Sequence, residues 1–306
     1  MGIIFYRVPI IQKHSITKKN LLYNFIFRAS LDKKIRTYYH LLEPLFHAMS
    51  DNNMYLNLGY MDLNDKSEKF SVVESQQNMV NVVPNGFKKE GKWLDVGCGT
   101  GAPACFLGVS NPNLEIDGIN IVKPQIEKAN QLSEKYQCDD RVRFHYGDAQ
   151  QIPFENETYD SVYAIESAFH FDSKLKFIKE SNRILKEGGK LSIADIVIRP
   201  EYRKISDWYK ISIAKHGLAT REFYSSDKWK NMLKNNDYGN IQVNDITLNV
   251  SKVLPKWIGL IQKNENELLH LYPKIFLTML IKCLNYVYKK GSESPFGYLL
   301  ITATKK

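Results

Sequence analysis

Between residues 92 and 197 the apolar positions come in short, nearly continuous runs, separated by longer stretches in which apolar residues recur every three or four positions. Short runs of this kind suit strands covered on both faces, and the longer periodic stretches suit helices packed against them. The pattern predicts strands over 92–96, 115–120, 141–146, 159–165 and 190–197. Helices are predicted over 101–110, 123–136 and 173–185, the last stopped by Lys186-Glu187-Gly188-Gly189. Strands alternating with helices imply parallel βαβ units, hence an α/β, doubly wound sheet.

The flanks read differently. Residues 1–50 place eight Lys or Arg, from Arg7 to Arg36, against Asp32 and Glu43 among aromatics and aliphatics. Amphipathic helices with a solvated basic face account for this. After Arg199-Pro200 the texture turns helical and aromatic, with Trp208, Tyr209, Phe223, Tyr224 and Trp229, and two further strands are expected over 241–250 and 296–304 around a helical stretch containing Trp257. The expected organisation is a helical N-terminal segment, 1–60, followed by one domain, 61–306. That domain has a core at 90–200, helical lid segments at 201–238 and 253–290, and last strands at 241–250 and 296–305.

Composition narrows the class. A chain of 306 residues with 43% hydrophobic residues can bury a full core. The net charge of +9 is spread over 42 basic and 33 acidic residues along the whole length, which does not point to nucleic acid. Cys98, Cys105, Cys138 and Cys283 show neither paired metal spacing nor a disulfide framework, so no metal is expected and a cytoplasmic location fits. The first apolar run breaks at Arg7, and the stretch 271–288 is interrupted by Lys274 and Lys282. Neither a secretion signal nor a membrane span is expected.

The first candidate chemistry is Trp93-Leu94-Asp95-Val96-Gly97-Cys98-Gly99-Thr100-Gly101, where three glycines alternate at a strand-to-helix turn. Without a Cβ in the way, a ligand can approach such a backbone closely. A dinucleotide site would use the same turn, but three companions argue otherwise. Asp95 sits inside an apolar strand and needs partners there. The second strand ends in the amide Asn120 rather than the carboxylate expected for a dinucleotide ribose. After strand three, Gly147-Asp148-Ala149-Gln150-Gln151-Ile152-Pro153-Phe154 sets a carboxylate able to accept from an adenine amino group beside apolar residues.

These residues, with Leu185-Lys186-Glu187-Gly188-Gly189, resemble the class I S-adenosylmethionine-dependent methyltransferases. The stretches Asn57-Leu58-Gly59-Tyr60, Gly118 to Asn130 and Glu166-Ser167-Ala168-Phe169-His170 resemble, more narrowly, the small-molecule methyltransferases of natural-product pathways, of the rebeccamycin-sugar and macrolide-sugar O-methyltransferase type. The resemblance implies a seven-stranded, mostly parallel Rossmann-like sheet with S-adenosylmethionine as cofactor. It places Asp95, Gly97, Gly99 and Gly101 around the methionine part, Asn120 and Ile121 at the ribose and adenine with Gln125 on the ribose side, and Asp148 with Ala149 at the adenine edge, and it adds Cys98 and Glu166 to the cofactor-binding residues. Asn120 departs from the usual acidic residue, leaving ribose recognition to a neutral acceptor. The lid would cover a small-molecule acceptor, with Trp208, Phe223, Tyr224 and Trp257 as candidate liners or simply as the lid's own core.

In an open α/β sheet, ligands bind beyond the carboxyl ends of the strands. His170 and Asp195 lie just past strands four and five, which the resemblance makes neighbours about 4.8 Å apart. His170 is therefore the expected general base for a hydroxyl acceptor, at an ordinary pKa near 6.5, and Asp195 its orienter. Transfer to nitrogen or carbon by alignment alone, an RNA methyltransferase, an oxidoreductase and a non-catalytic binding protein stay open. No Asn/Asp-Pro-Pro-aromatic sequence and no Pro-Cys pair follows strand four to support a nucleic-acid base as acceptor. Oligomeric state and acceptor identity are not legible.

Overall fold

The computed structural model describes residues 31–51, 53–64, 69–199, 211–212, 214–215 and 218–306. Strands β1 (Gly91–Val96), β2 (Leu114–Asn120), β3 (Val142–Tyr146), β4 (Tyr159–Ile165), β5 (Leu185–Ile198), β6 (Tyr238–Asp245) and β7 (Phe296–Lys305) form one sheet in the order β3-β2-β1-β4-β5-β7-β6. β7 alone runs against its neighbours β5 and β6. This is the seven-stranded, mostly parallel, doubly wound α/β sheet expected.

Helix α1 spans Leu31–Met49 and α2 Val72–Val82. The latter is started by a capping box in which Ser71 and Glu74 satisfy each other's backbone N–H groups. Helices α3 (Ala102–Ser110), α4 (Lys123–Lys135) and α5 (Lys174–Ile184) are the crossovers, and α6 (Ser226–Lys234) precedes β6. Helices α7 (Thr247–Ser251), α8 (Leu254–Lys263), α9 (Glu265–Leu271) and α10 (Lys274–Lys290) fill the gap before β7.

The central strands are buried on both faces, as their apolar runs require. Trp93, Ile116 and Tyr163 face one core with α2, α3 and α4, while Leu94, Val96, Val162 and Ile193 face the other with α5 and α6. A fully buried side chain of this size contributes roughly 1.5–3 kcal/mol. A third cluster joins Leu45 and Met49 of α1 to Trp257 and Ile261 of α8 and Leu277 of α10. Thus α1 is packed between the α8–α10 cap and the end of the sheet, and its basic residues do not define it.

One expected strand is corrected. The run 241–250 ends at Asp245 as a strand and continues as a helical turn, because the Asp245 carboxylate accepts from the Thr247 N–H at 2.9 Å and turns the chain. The Lys186-Gly189 segment is also not a loop: α5 stops at Ile184, and the glycines sit in β5 where its register with β4 shifts.

Candidate active site

At the carboxyl end of β1 the chain turns over Gly97, Gly99 and Gly101, at φ +78°, +54° and +80°. Gly97 and Cys98 N–H groups donate to the Ile119 carbonyl at 2.8 and 3.1 Å, tying the turn to the end of β2. The three glycines have different reasons. A Cβ at Gly97 would lie 2.4 Å from Ser167 Cβ, and one at Gly101 would lie 2.6 Å from Phe144 Cζ, so protein packing demands both. At Gly99 it would meet only Leu56, at 3.1 Å.

Gly97 and Gly99 open onto a cavity of about 260 Å³. Its second wall is Asn120, Ile121 and Gln125, and its third is Gly147, Asp148, Ala149 and Gln150. The Asn120 amide donates to Gln125 Oε1 at 2.7 Å, so the two side chains act as one polar unit. Asp148 Oδ1 accepts from the Gln150 N–H at 2.9 Å, which ties one oxygen of this exposed carboxylate to its own loop. Beneath the turn, Asp95 is 2% exposed and its Oδ2 has no hydrogen-bond partner. Burial pushes this carboxyl up to about 7.

After β4 the backbone is strained at Glu166, whose φ is +49°. Its Oε1 accepts from the Leu58 N–H at 2.6 Å and from the Tyr298 hydroxyl at 2.8 Å, and burial pushes the carboxyl up to about 7. A 3₁₀ turn, Ala168–His170, then carries the histidine to the cavity wall. Its Nδ1 lies 3.4 Å from the Ala219 carbonyl and its Nε2 3.1 Å from the Tyr39 hydroxyl. A carbonyl only accepts, so the ring proton sits on Nδ1, and Nε2 accepts from Tyr39. Burial drives the imidazole pKa down to about 3, so the ring is neutral at physiological pH.

The expected pairing of His170 with Asp195 is corrected. Strands β4 and β5 are neighbours as anticipated, with Ile165 opposite Ala194. That register brings Glu166 level with Asp195, and both ring nitrogens of His170 face other partners, the Ala219 carbonyl and the Tyr39 hydroxyl. Asp195 is 1% exposed, its Oδ1 accepts from the Ile196 N–H at 2.8 Å, and its Oδ2 is unpartnered. The ordinary imidazole pKa expected from the sequence is likewise replaced by the depressed one.

Of the residues expected around a cofactor, Gly97, Gly99, Asn120, Ile121, Gln125, Asp148 and Ala149 share the cavity wall with His170. Asp95 and Cys98 lie buried under it, Gly101 caps α3, and Glu166 ties β4 to β7 and residue 58. The sequence reading missed Ile35 and Tyr39 of α1 and Arg221, which pairs with Asp172 at 2.6 Å, all on the wall. The one available signal was the apolar Tyr38-Tyr39 pair within the basic helix. Phe223, Trp229 and Trp257 are core residues, 1–2% exposed, and do not line the cavity. Trp208 and Tyr209 lie outside the described residues.

Residues 94–193 match the methyltransferase domain family. The chain is 26% identical over 256 residues to 27-O-demethylrifamycin SV methyltransferase of Amycolatopsis mediterranei, covering 82% of this chain and 89% of that one. The [4+2]-cyclase SpnF shares its fold with a TM-score of 0.73 at 20% identity, over 90% of this chain and 96% of that one. So does the geranyl diphosphate C-methyltransferase of Streptomyces coelicolor A3(2), solved with Mg²⁺, geranyl diphosphate and S-adenosylhomocysteine, with a TM-score of 0.69 at 16% identity over 91% and 99%. A matched domain lying over β1 to β5, and a glycine turn opening onto the cavity in the Rossmann-like fold, identify the chain as an S-adenosylmethionine-dependent methyltransferase.

Proposed function

We propose that the chain methylates a hydroxyl of a small natural-product acceptor, with His170 as the general base. The observation that carries this is the proton-free Nε2 of His170, on the wall of the same cavity as the glycine turn, where it accepts from the Tyr39 hydroxyl. An acceptor hydroxyl replacing Tyr39 would meet a lone pair already aimed at it.

The cavity residues fit the cofactor. Gly99 leaves room where a side chain would stand, Asn120 with Gln125 offers polar atoms for the ribose hydroxyls, and Asp148 has a free oxygen for an adenine amino group beside apolar Ile121 and Ala149. Asp95, with its unpartnered oxygen beneath the turn, supports the methionine side. When bound, S-adenosylmethionine supplies a sulfonium methyl for in-line displacement. The chain's own part is alignment, worth about 7–11 kcal/mol where it is good, and removal of the hydroxyl proton by Nε2, worth about 10²- to 10⁴-fold. The Ala219 carbonyl, rather than Asp195, holds the tautomer that makes Nε2 the acceptor.

The division into a helical segment, 1–60, and a methyltransferase domain, 61–306, belongs to this reading, as does a cytoplasmic location. Three of the four free cysteines are buried thiols, which supports the location. No helix among the described residues is long and apolar enough to cross a membrane. A second reading, transfer to nitrogen or carbon without a base, is favoured by the depressed His170 pKa, since so weak a base removes a hydroxyl proton less readily. The test is calorimetry with S-adenosylhomocysteine, followed by turnover of hydroxyl-bearing and amine-bearing acceptors in wild type and His170→Ala. Tight binding together with a loss of turnover in the variant on hydroxyl acceptors supports the proposal. Unchanged turnover in the variant sinks the base, and binding of NAD instead would sink the cofactor assignment.

A further inference from the structure

We propose that Lys174 is a positioning residue for His170: its buried ammonium straps the two peptide carbonyls that flank the histidine. Lys174 is 3% exposed, and its Nζ donates to the Phe169 and Phe171 carbonyls at 3.2 Å each. One nitrogen therefore closes a loop around the 3₁₀ turn with His170 at its apex. The Thr220 hydroxyl also donates to the Phe169 carbonyl, and Thr220 follows Ala219, whose carbonyl faces His170 Nδ1. The turn, the strap and the residue that sets the tautomer thus form one connected unit.

The position is a poor one for a lysine on structural grounds alone. Lys174 is the first residue of α5, where the helix dipole disfavours a cation, and lysines are almost never fully buried unless paired. Ordinary capping of α5 is already done by Ser173, whose hydroxyl accepts from the Lys176 N–H at 3.3 Å. What compensates the buried charge faces it from every side: the two carbonyls, the Tyr224 ring with its centroid 5.1 Å away, Asp195 of β5, and Asp172 and Glu222 from the flanking loops, with Lys228 of α6 opposing them. Burial lowers the ammonium's pKa and raises that of Asp195, while the charge of each opposes the effect of burial on the other. Around the imidazole stand Tyr38 and Tyr39 of α1, and Lys174 itself, whose charge adds to burial in keeping the ring neutral.

The proposal rests on reading His170 as the base, so the test separates the two. Carbon-13 signals of the labelled His170 ring need no turnover. Lys174→Met, which keeps the stem and removes the donors, is expected to shift those signals and raise the ring's titration midpoint. It should also lower kcat at least 10-fold, with S-adenosylhomocysteine affinity within twofold of wild type. In a His170→Ala background the same substitution should change kcat by less than twofold. Lys174→Arg keeps the charge but cannot bring one nitrogen to both carbonyls, so it should fall between wild type and Lys174→Met; if the methionine variant does not fold, the arginine variant decides. Wild-type ring signals in the lysine variants, or an equal loss of kcat with and without His170, would overturn the strap. Unchanged turnover of His170→Ala alone would overturn the base, while the ring signals still decide the strap.

Discussion

The depressed pKa of His170 has two consequences that can be read separately, one in catalysis and one in stability. An imidazole at its ordinary 6.5 would be only about 3% neutral at pH 5, so a reaction depending on it would slow by about 30-fold between pH 7.5 and pH 5. With the folded value near 3, about 99% stays neutral at pH 5 and that loss disappears. Glu166 and Asp95, both near 7, titrate in the same window in any variant, so the informative quantity is the ratio of wild-type to His170→Ala kcat/KM, which reports the free enzyme. That ratio is expected to vary by less than twofold from pH 5 to pH 8. On the stability side, the unfolded chain binds a proton below about 6.5 that the folded chain refuses until about 3, so stability falls as pH drops through this interval. By pH 5 the gap is about 1.5 pK units, or about 2 kcal/mol, for a side chain in a residue only 4% exposed. Urea unfolding at pH 7.5 and pH 5 should show wild type losing about 2 kcal/mol more than His170→Ala. A kcat/KM ratio that collapses about 30-fold by pH 5, together with no difference in the unfolding data, would refute the claim that the turn buries this ring.

Two further perturbations test the site and its support. Gly99→Val should abolish S-adenosylhomocysteine binding in calorimetry, because a β-branched residue at φ +54° is strained and its side chain would stand between Leu56 and the cavity; retained affinity would put the cofactor elsewhere. Asp117 near the middle of β2 is held down to about 2, since hydrogen bonds from His145, Lys92 and Tyr159 outweigh its burial. That carboxylate contributes stability above its unfolded pKa near 3.9 and loses it as pH falls toward 2, so Asp117→Asn should cost about 2 kcal/mol at pH 7 in chemical denaturation and almost nothing at pH 2.

The strands, the crossovers and the residues that share the cavity wall were legible in the sequence because each is local. A strand buried on both faces shows itself as an apolar run, and the glycine turn, Asn120 and Asp148 are three short segments immediately following three such strands. Parallel strand ends converge on one edge of the sheet, so naming the strands already named the site's floor. Even Glu166, strained at a positive φ, announced itself by lying one residue past β4. What the sequence could not specify were meetings between distant segments. Tyr39 reaches His170 across 131 positions, and nothing local distinguishes that tyrosine from its neighbours on an amphipathic helix. Asp195 was assigned to His170 from strand adjacency, but the place at Nδ1 goes to the Ala219 carbonyl, a group invisible in any side-chain pattern. Lys174 reads as one more surface lysine until the fold buries it, and the pKa of His170 reads as ordinary until water is excluded. Local periodicity determines which elements exist, whereas desolvation and long-range partners arise only when those elements pack, and these decide which groups can do chemistry.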